Sequence, residues 1–359
     1  MNKIDNKNRY LWIDSLKGLS ILGVVLIHSG AMGLGGPISV AASYGSVFVQ
    51  AFFVVSSFLI WKSLERLGRD FGFQDYMKWL FRKISKLIPA YYLAIFAYLL
   101  VIGGNQYWAG DVDPFSIQNI IAHLLFLHGL FPKFCNNILG VEWYVGVLAL
   151  FYLIAPLLYK IIDNLPKALA AFILSDIACY YICIKVTGLI IRDDNSYIYE
   201  EYFNNYGFIS QLPTLMLGVV ICYIMPYVKK DSSKWLKILL SSTIVLLAFG
   251  MLRYHAVIPL FIVSTPTLYG MFFGMILFSQ IIYAMPILNN RLFAFLGRQS
   301  WEIYLFHFIL IIILDKYVKL FTDSELINWG IKYFLSIFIV ICVTSLVKLM
   351  LRRLKNIKS

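Results

Sequence analysis

The sequence predicts an all-α fold, a polytopic transmembrane bundle of about ten spans with both termini in the cytoplasm. Of its 359 residues, 60% are hydrophobic and 14% are charged, whereas a soluble domain carries about 45–50% apolar and about 25% charged residues. Continuous apolar runs of about 20 residues, the length of a membrane-spanning helix, recur along the chain. They lack the alternating polarity of barrel strands. We therefore expect one integral-membrane domain over residues 1–359.

The distribution of positive charge predicts the orientation. Of the 31 Lys and Arg residues, 23 lie in segments that face the cytoplasm if the N terminus is inside, and six lie in segments that face outward. Cytoplasmic loops characteristically carry such an excess. A shorter apolar run over residues 117–131 is interpreted as a re-entrant or interfacial segment. If it crossed the membrane, every later loop would change sides, and the Lys-rich loop after the sixth span would face outward. Because the Lys and Arg residues are concentrated in the predicted cytoplasmic loops, we attribute the net charge of +12 to contact with the lipid bilayer. We expect no nucleic-acid partner.

The first span carries the ionisable residues that most need an explanation, because charged groups inside a bilayer are costly. On a helix, Asp14, Lys17 and His28 fall on one face, with His28 about 16 Å beyond Lys17 along the axis. Two structural alternatives stay open for the charged pair. Asp14 and Lys17 can form an ion pair on the helix surface, or Lys17 can extend to the inner interface. His28 can also serve simply as a hydrogen-bonding residue toward a neighbouring helix.

The first cytoplasmic loop predicts an amphipathic helix at the inner membrane surface. Its basic residues Lys78, Arg82 and Lys86 recur every fourth position. Two interpretations stay open, attraction to anionic lipid headgroups and binding of a phosphorylated cytoplasmic ligand. The predicted apolar face consists of Phe73, Met77, Leu80, Ile84 and Leu87.

No metal site is expected from the remaining histidines and cysteines. His123 and His128 are five residues apart, about 140° around a helix, which does not suit a helical metal pair. The sequence also lacks a Cys/His zinc pattern, a Gly-x-Ser-x-Gly elbow and a phosphate-binding loop. We expect no permanently bound cofactor.

Five motifs, in order along nearly the whole chain, resemble the acyltransferase-3 family of integral membrane acyltransferases. Lys17 stands eleven residues before His28, where the family usually has Arg before His. Ser57 replaces a glycine of the family pattern, and Leu148 stands where many members carry Glu. The five motifs are Ile13 to His28, Phe52 to Leu59, Arg82 to Tyr92, Trp143 to Pro156 and Gly297 to His307.

The resemblance implies a function and a set of site residues. Family members use cytoplasmic acyl-CoA, usually acetyl-CoA, as a co-substrate to acylate a hydroxyl, commonly on surface carbohydrate or a lipid-linked glycan. The implied location is the inner (plasma) membrane. The resemblance implies that His28 is the general base and that Lys17, Arg82, Lys83 and Lys86 contact acyl-CoA. Supporting candidates are Asp14, Glu142, which would replace the Glu missing at Leu148, and Ser300, Tyr304 and His307 in the last motif.

The residue chemistry fits this reaction independently. A sugar hydroxyl is a weak nucleophile, and a histidine within hydrogen-bond reach can take its proton during attack on a thioester. A transporter or flippase for a lipid-linked glycan is the alternative function. It predicts inverted repeats and Gly- or Pro-broken helices in matching halves, and neither is evident in the sequence.

Overall fold

The computed structural model describes residues 10–104, 112–190, 196–228, 231–254, 263–318 and 323–357. Within them the regular structure is helical, and no β-strand occurs. The α-helices of these ranges are α1 (Leu11–His28), α2 (Gly36–Ser43), α3 (Phe48–Glu65), α4 (Phe73–Ile102), α5 (Ile117–Leu124), α6 (Trp143–Ile161), α7 (Leu165–Ile190), α8 (Ser196–Glu201), α9 (Phe208–Ile224), α10 (Lys234–Tyr254), α11 (Thr265–Ile282), α12 (Arg291–Arg298), α13 (Ser300–Val318) and α14 (Glu325–Ile357).

The predicted all-α transmembrane class is confirmed. Among the described residues, nine helical segments are long and apolar enough to cross a membrane. The one remaining predicted span, the ninth in chain order, is α13, which differs from those nine segments because its 19 residues include Glu302, Asp315 and Lys316. Helix α5 has only 8 residues and, at about 1.5 Å per residue, is too short to cross a bilayer. The side of the membrane that each loop faces stays a prediction.

Helix α4 differs from the expected surface helix followed by a separate span. It is one helix of 30 residues that runs through Pro89. Phe73 is 76% exposed and Met77 is 43% exposed at the protein surface, as residues directed toward lipid would be, so the predicted apolar face stays a prediction. The buried positions near its start are Trp79 and Leu87. The charge pattern of a helix determines which of its faces contacts lipid or water. A change in that pattern does not interrupt the backbone hydrogen bonds, so α4 continues as one helix.

The chain forms two compact units, one built from the described residues up to Phe48 together with those from Ala284 onward, and one from Val49 to Tyr283. In the first unit, α1 packs closely against α12. Side chains are excluded where they touch, because a methyl group added at Gly18 would overlap the Phe293 carbonyl and one added at Gly297 would overlap the Asp14 carbonyl. The two glycines therefore let the helix backbones approach each other directly.

Helix α14 holds the C-terminal half of α1 through two hydrogen bonds. The indole N–H of Trp329 donates to the Ser29 hydroxyl over 2.7 Å. The hydroxyl of Tyr333 donates to the Leu22 carbonyl over 3.0 Å. Together with the glycine contact to α12, these bonds fix α1 at both ends within the first unit.

In the second unit, Arg69 ties the end of α3 to α6 and α9. Its guanidinium donates to the Ile162 carbonyl over 2.9 Å and to the Tyr223 hydroxyl over 2.8 Å. It also lies 4.4 Å from the ring centroid of Tyr159. Arg69, a basic residue of the loop predicted to be cytoplasmic, therefore holds helix ends together.

The substitution Gly297→Ala should destabilise the first unit, because its methyl group meets the backbone of α1. Overpacking of this kind typically costs about 1–3 kcal/mol. The matched control is Gly330→Ala in α14, where no atom lies within 4 Å of the added carbon. Thermal unfolding in detergent should show a lower Tm for Gly297→Ala and an unchanged or slightly higher Tm for Gly330→Ala. Equal Tm values would contradict the backbone contact.

Candidate functional site

Two histidine rings meet at the C-terminal end of α1 within the first unit. His28 is the last residue of α1, and its ring centroid lies 5.3 Å from that of His307 on α13. The Phe308 ring lies on the same side, 4.9 Å from His28. His28 is half-buried, whereas His307 is fully buried. A partly exposed histidine therefore lies beside a fully buried one.

The hydrogen bonds of His307 determine which of its nitrogens carries the proton. Nδ1 lies 3.0 Å from the Ile303 carbonyl oxygen and 2.8 Å from the Tyr304 carbonyl oxygen. Carbonyl oxygens only accept, so Nδ1 is the donor, and Nε2 of the neutral ring carries a lone pair. Nε2 is buried and has no hydrogen-bond partner among the described residues. Because buried polar atoms normally have one, this nitrogen requires an explanation.

The N-terminal part of α1 carries both acidic and basic groups. Asp14 is buried, and its carboxylate lies 4.0 Å from the Arg298 guanidinium. Lys17 is half-buried one turn further along. Because α1 is continuous from Leu11 to His28, the expected separation of about 16 Å between Lys17 and His28 along the axis holds.

The candidates in the last motif have distinct structural positions. Ser300 is the first residue of α13, and its hydroxyl donates to the Gly297 carbonyl over 2.9 Å. Tyr304 is buried one turn before His307 and supplies one of the two carbonyls that fix its proton. Glu302 lies 2.7 Å from the Lys348 ammonium of α14. His307 is therefore the member of this motif that contacts His28.

The basic candidates of α4, in the second unit, do not share one face. Arg82 and Lys86 are exposed, four residues apart on the same side of the helix. Lys83 is half-buried, with its ammonium 5.2 Å from the ring centroid of Trp79. It lies between the buried residues Trp79 and Leu87 at four-residue spacing. The helix thus presents two cations outward and turns the third toward the protein.

The second unit also holds a buried ionic network that the sequence did not predict. Oε1 of Glu142 accepts from Nε2 of His123 over 3.1 Å and from the Ile138 N–H over 2.7 Å. Oε2 accepts from the Val141 N–H over 3.0 Å. Nδ1 of His123 lies 2.8 Å from the Asn119 carbonyl oxygen. Both His123 nitrogens face accepting oxygens, so the fully hydrogen-bonded ring is an imidazolium paired with the carboxylate.

His128 stacks on His123 with ring centroids 4.5 Å apart and planes 5° from parallel. Its Nε2 donates to the Glu142 carbonyl over 3.1 Å. Burial, followed by the neighbouring His123, lowers the pKa of His128 to about 3, so this ring is neutral at ordinary pH. The stack places a neutral imidazole over a paired one.

The expected 140° separation of His123 and His128 is wrong because it assumed a continuous helix. Helix α5 ends at Leu124, and Phe126 adopts a positive φ of 60°, which reverses the chain. The rings then meet face to face and do not converge their nitrogens on one point. In the described part of the chain, no group of three or more His, Cys, Asp or Glu residues is arranged to hold a metal ion.

Glu142 has a structural position beside its proposed supporting role. Its two oxygens accept three hydrogen bonds, and two of the donors are backbone N–H groups of the loop before α6. Leu148, where many family members carry Glu, is buried in α6. The carboxylate therefore fixes the loop that leads into α6. No sequence signal pointed to its pairing with His123, because the two residues are 19 positions apart.

Comparison with known proteins identifies the family. A family model described as an acyltransferase domain, that of the acyltransferase-3 family, matches residues 10–351. The chain belongs to this family. This confirms the resemblance carried by the Lys17–His28 spacing and the later motifs. No solved structure is a significant match.

The curated relatives are distant and longer. The O-acetyltransferase OatA of Staphylococcus aureus strain NCTC 8325 / PS 47 is 25% identical over 342 residues, which cover 86% of this acyltransferase-family chain and 52% of the relative. SACOL0978 of S. aureus strain COL is 24% identical over 348 residues, covering 89% of the chain and 53% of the relative. The chain thus spans about half the length of the curated relatives it matches.

The substitution His123→Ala should destabilise the second unit strongly, because it leaves the Glu142 carboxylate buried without its cation. Removing one partner of a buried pair typically costs about 3–5 kcal/mol. The control is Lys167→Ala, which removes an exposed ion pair with Asp163 and should leave the Tm nearly unchanged. Thermal unfolding in detergent compares the two variants. A His123→Ala protein with the same Tm as the wild type would contradict a stabilising pair between His123 and Glu142.

Proposed function

We propose that the protein is a membrane O-acyltransferase that moves an acetyl or other short acyl group from cytoplasmic acyl-CoA to a hydroxyl of a surface carbohydrate. Family membership and the O-acetyltransferase name of the relative OatA support the reaction class. The observation that carries the proposal is the half-buried His28 imidazole against His307 at the end of a continuous apolar helix. A location in the inner (plasma) membrane is part of the proposal.

His28 is the proposed general base. It takes the proton of the acceptor hydroxyl as the oxygen attacks the thioester carbonyl carbon. The C–S bond then breaks, and the departing thiolate takes the proton from His28. Proton transfer by a positioned side chain typically contributes about 10²–10⁴-fold to the rate.

The proposed donor contacts are Lys17, Arg82, Lys83 and Lys86. Coenzyme A carries phosphates at one end and a thioester at the end of a long thin arm. Cations suit the phosphates, and the exposure of Arg82 and Lys86 leaves them able to bind an aqueous ligand. The arm can cover about 16 Å, the axial separation of Lys17 and His28.

The transporter alternative has less support. It predicts helices that break near the middle of the bilayer, where unwound backbone binds the cargo. Helices α4, α6 and α9 instead run continuously through Pro89, Pro156 and Pro213. The described structure therefore offers no broken helix at these prolines for a cargo site.

The variant His28→Gln tests the proposed base. Glutamine retains hydrogen bonding but cannot accept a proton at neutral pH, so transfer of labelled acetyl from acetyl-CoA to glycan in membranes should fall by about 10²-fold or more. The variant should insert and melt like the wild type. Near-normal turnover by a well-expressed His28→Gln protein would exclude His28 as the base and favour the transporter alternative.

The donor contacts are tested by charge removal. Lys17→Gln, and Arg82→Gln combined with Lys86→Gln, should each raise the KM for acetyl-CoA by about tenfold, since a hydrogen bond to a charged group contributes about 1.5–3 kcal/mol. Lys17→Arg should keep most activity because it keeps the charge. Lys167→Gln, an exposed cation outside the proposed set, is the control. An unaltered KM for the double variant would indicate that Arg82 and Lys86 contact lipid.

A further inference from the structure

Nε2 of His307 is a buried hydrogen-bond acceptor that no donor of the described residues reaches, and His28 is the ring beside it. We infer that His307 is a positioning residue for His28. In the reacting state, its Nε2 lone pair accepts the N–H of His28, so that the other nitrogen of His28 faces the acceptor hydroxyl. The inference rests on the proposed role of His28 as the base.

Moving the His307 proton from Nδ1 to Nε2 would be costly. Nδ1 donates to two carbonyls of its own helix, those of Ile303 and Tyr304. Flipping the ring or moving the proton would leave both bonds unmade inside a membrane protein, where no water replaces them. The lone pair is therefore held on Nε2, and a donor from a neighbouring group is what this atom needs.

A base histidine needs such a partner. A neutral imidazole has one N–H and one lone pair, and the bond made by its N–H decides where the lone pair points. Carboxylates often take this role, but three carboxylates of the described first unit are distant from His28 or paired with a lysine. Asp14 lies about 21 Å from His28 along α1, while Glu302 pairs with Lys348 and Asp315 with Lys332.

The separation of the rings suits this bond. Two rings whose centroids are 5.3 Å apart bring facing nitrogens to about 3 Å, because each nitrogen lies about 1.2 Å from its centroid, and about 3 Å is hydrogen-bond distance. Because its Nδ1 bonds hold the His307 ring, the inferred bond requires the His28 ring to turn about its side-chain torsions until an N–H faces Nε2. Catalytic hydrogen bonds commonly tighten only when the substrate is bound.

The proton balance leaves His307 unchanged. The hydroxyl proton passes to His28 and then to the departing thiolate, while the other His28 N–H stays bonded to Nε2 of His307. The Nδ1 proton of His307 does not move. A neutral acceptor stabilises the His28 imidazolium without placing a second charge in the span, where charges are costly.

The test compares two variants of the full-length protein in the acetyl-transfer assay. His307→Phe keeps a ring but removes the acceptor, and His307→Gln supplies an amide oxygen that accepts. We expect His307→Phe to lower kcat by about 10²-fold with an unchanged KM for acetyl-CoA, and His307→Gln to recover at least tenfold of that loss. Equal kcat values for the two variants would overturn the inference.

A double variant distinguishes action through His28 from a separate role. If His307 acts through His28, adding His307→Phe to His28→Ala should not slow the residual rate further. The same fold-loss in both backgrounds would overturn the inference. Loss of transfer in His28→Ala with a wild-type kcat in His307→Phe would overturn it while leaving the proposed function intact. Normal transfer by His28→Ala would reject the base, and the inference with it.

Stability is measured alongside activity. If His307→Phe does not fold, His307→Met replaces it as a flexible apolar side chain that lacks a strong acceptor. We then expect kcat to be highest for the wild type, lower for His307→Gln and lowest for His307→Met. A Met variant as active as the Gln variant would overturn the inference.

Discussion

The geometry of this site depends on the position of one proton, the one on Nδ1 of His307. Inside a bilayer a polar atom must find its partner within the protein, and the carbonyls one turn back on α13 provide it. That arrangement leaves the Nε2 lone pair beside His28. A helix thus converts an ordinary buried histidine into a fixed acceptor without using a carboxylate.

Such an acceptor is useful only if α1 is held firmly. Contact of helix backbones at Gly18 and Gly297 leaves no side-chain layer that can repack, and interiors packed to this density transmit small displacements. At the other end of α1, Trp329 and Tyr333 donate to Ser29 and to the Leu22 carbonyl. Close packing at one end and hydrogen bonding at the other set the rotation of α1, and so the direction in which His28 points.

The sequence predicted those features that depend on local pattern. Long apolar runs predicted the spans because a membrane helix needs little else, and the Lys17–His28 spacing held because α1 is unbroken. The stacking of His123 on His128 was missed because it depends on the backbone reversal at Phe126. The tautomer of His307 was beyond prediction as well, since it follows from the distances of individual atoms to two carbonyls.

The continuity of α4 shows a different limit. The charge pattern changes near Lys86, which is why a surface helix and a separate span were expected, but backbone hydrogen bonds continue through that boundary. Lys83 then falls between two buried positions, while Arg82 and Lys86 face outward. The number of basic residues identified the segment, but only the helix geometry distinguished the half-buried Lys83 from the exposed Arg82 and Lys86.

One measurement tests directly the proposal that the acetyl group crosses the membrane while the CoA portion of the donor stays inside. Right-side-out vesicles from cells producing the protein are loaded with acetyl-CoA labelled in both its acetyl group and its CoA portion. We expect acetyl label on the external glycan, CoA label retained inside, and no acetyl label outside with His28→Gln vesicles. Appearance of intact acetyl-CoA outside, or glycan labelling that is equal in His28→Gln vesicles, would contradict transfer through His28.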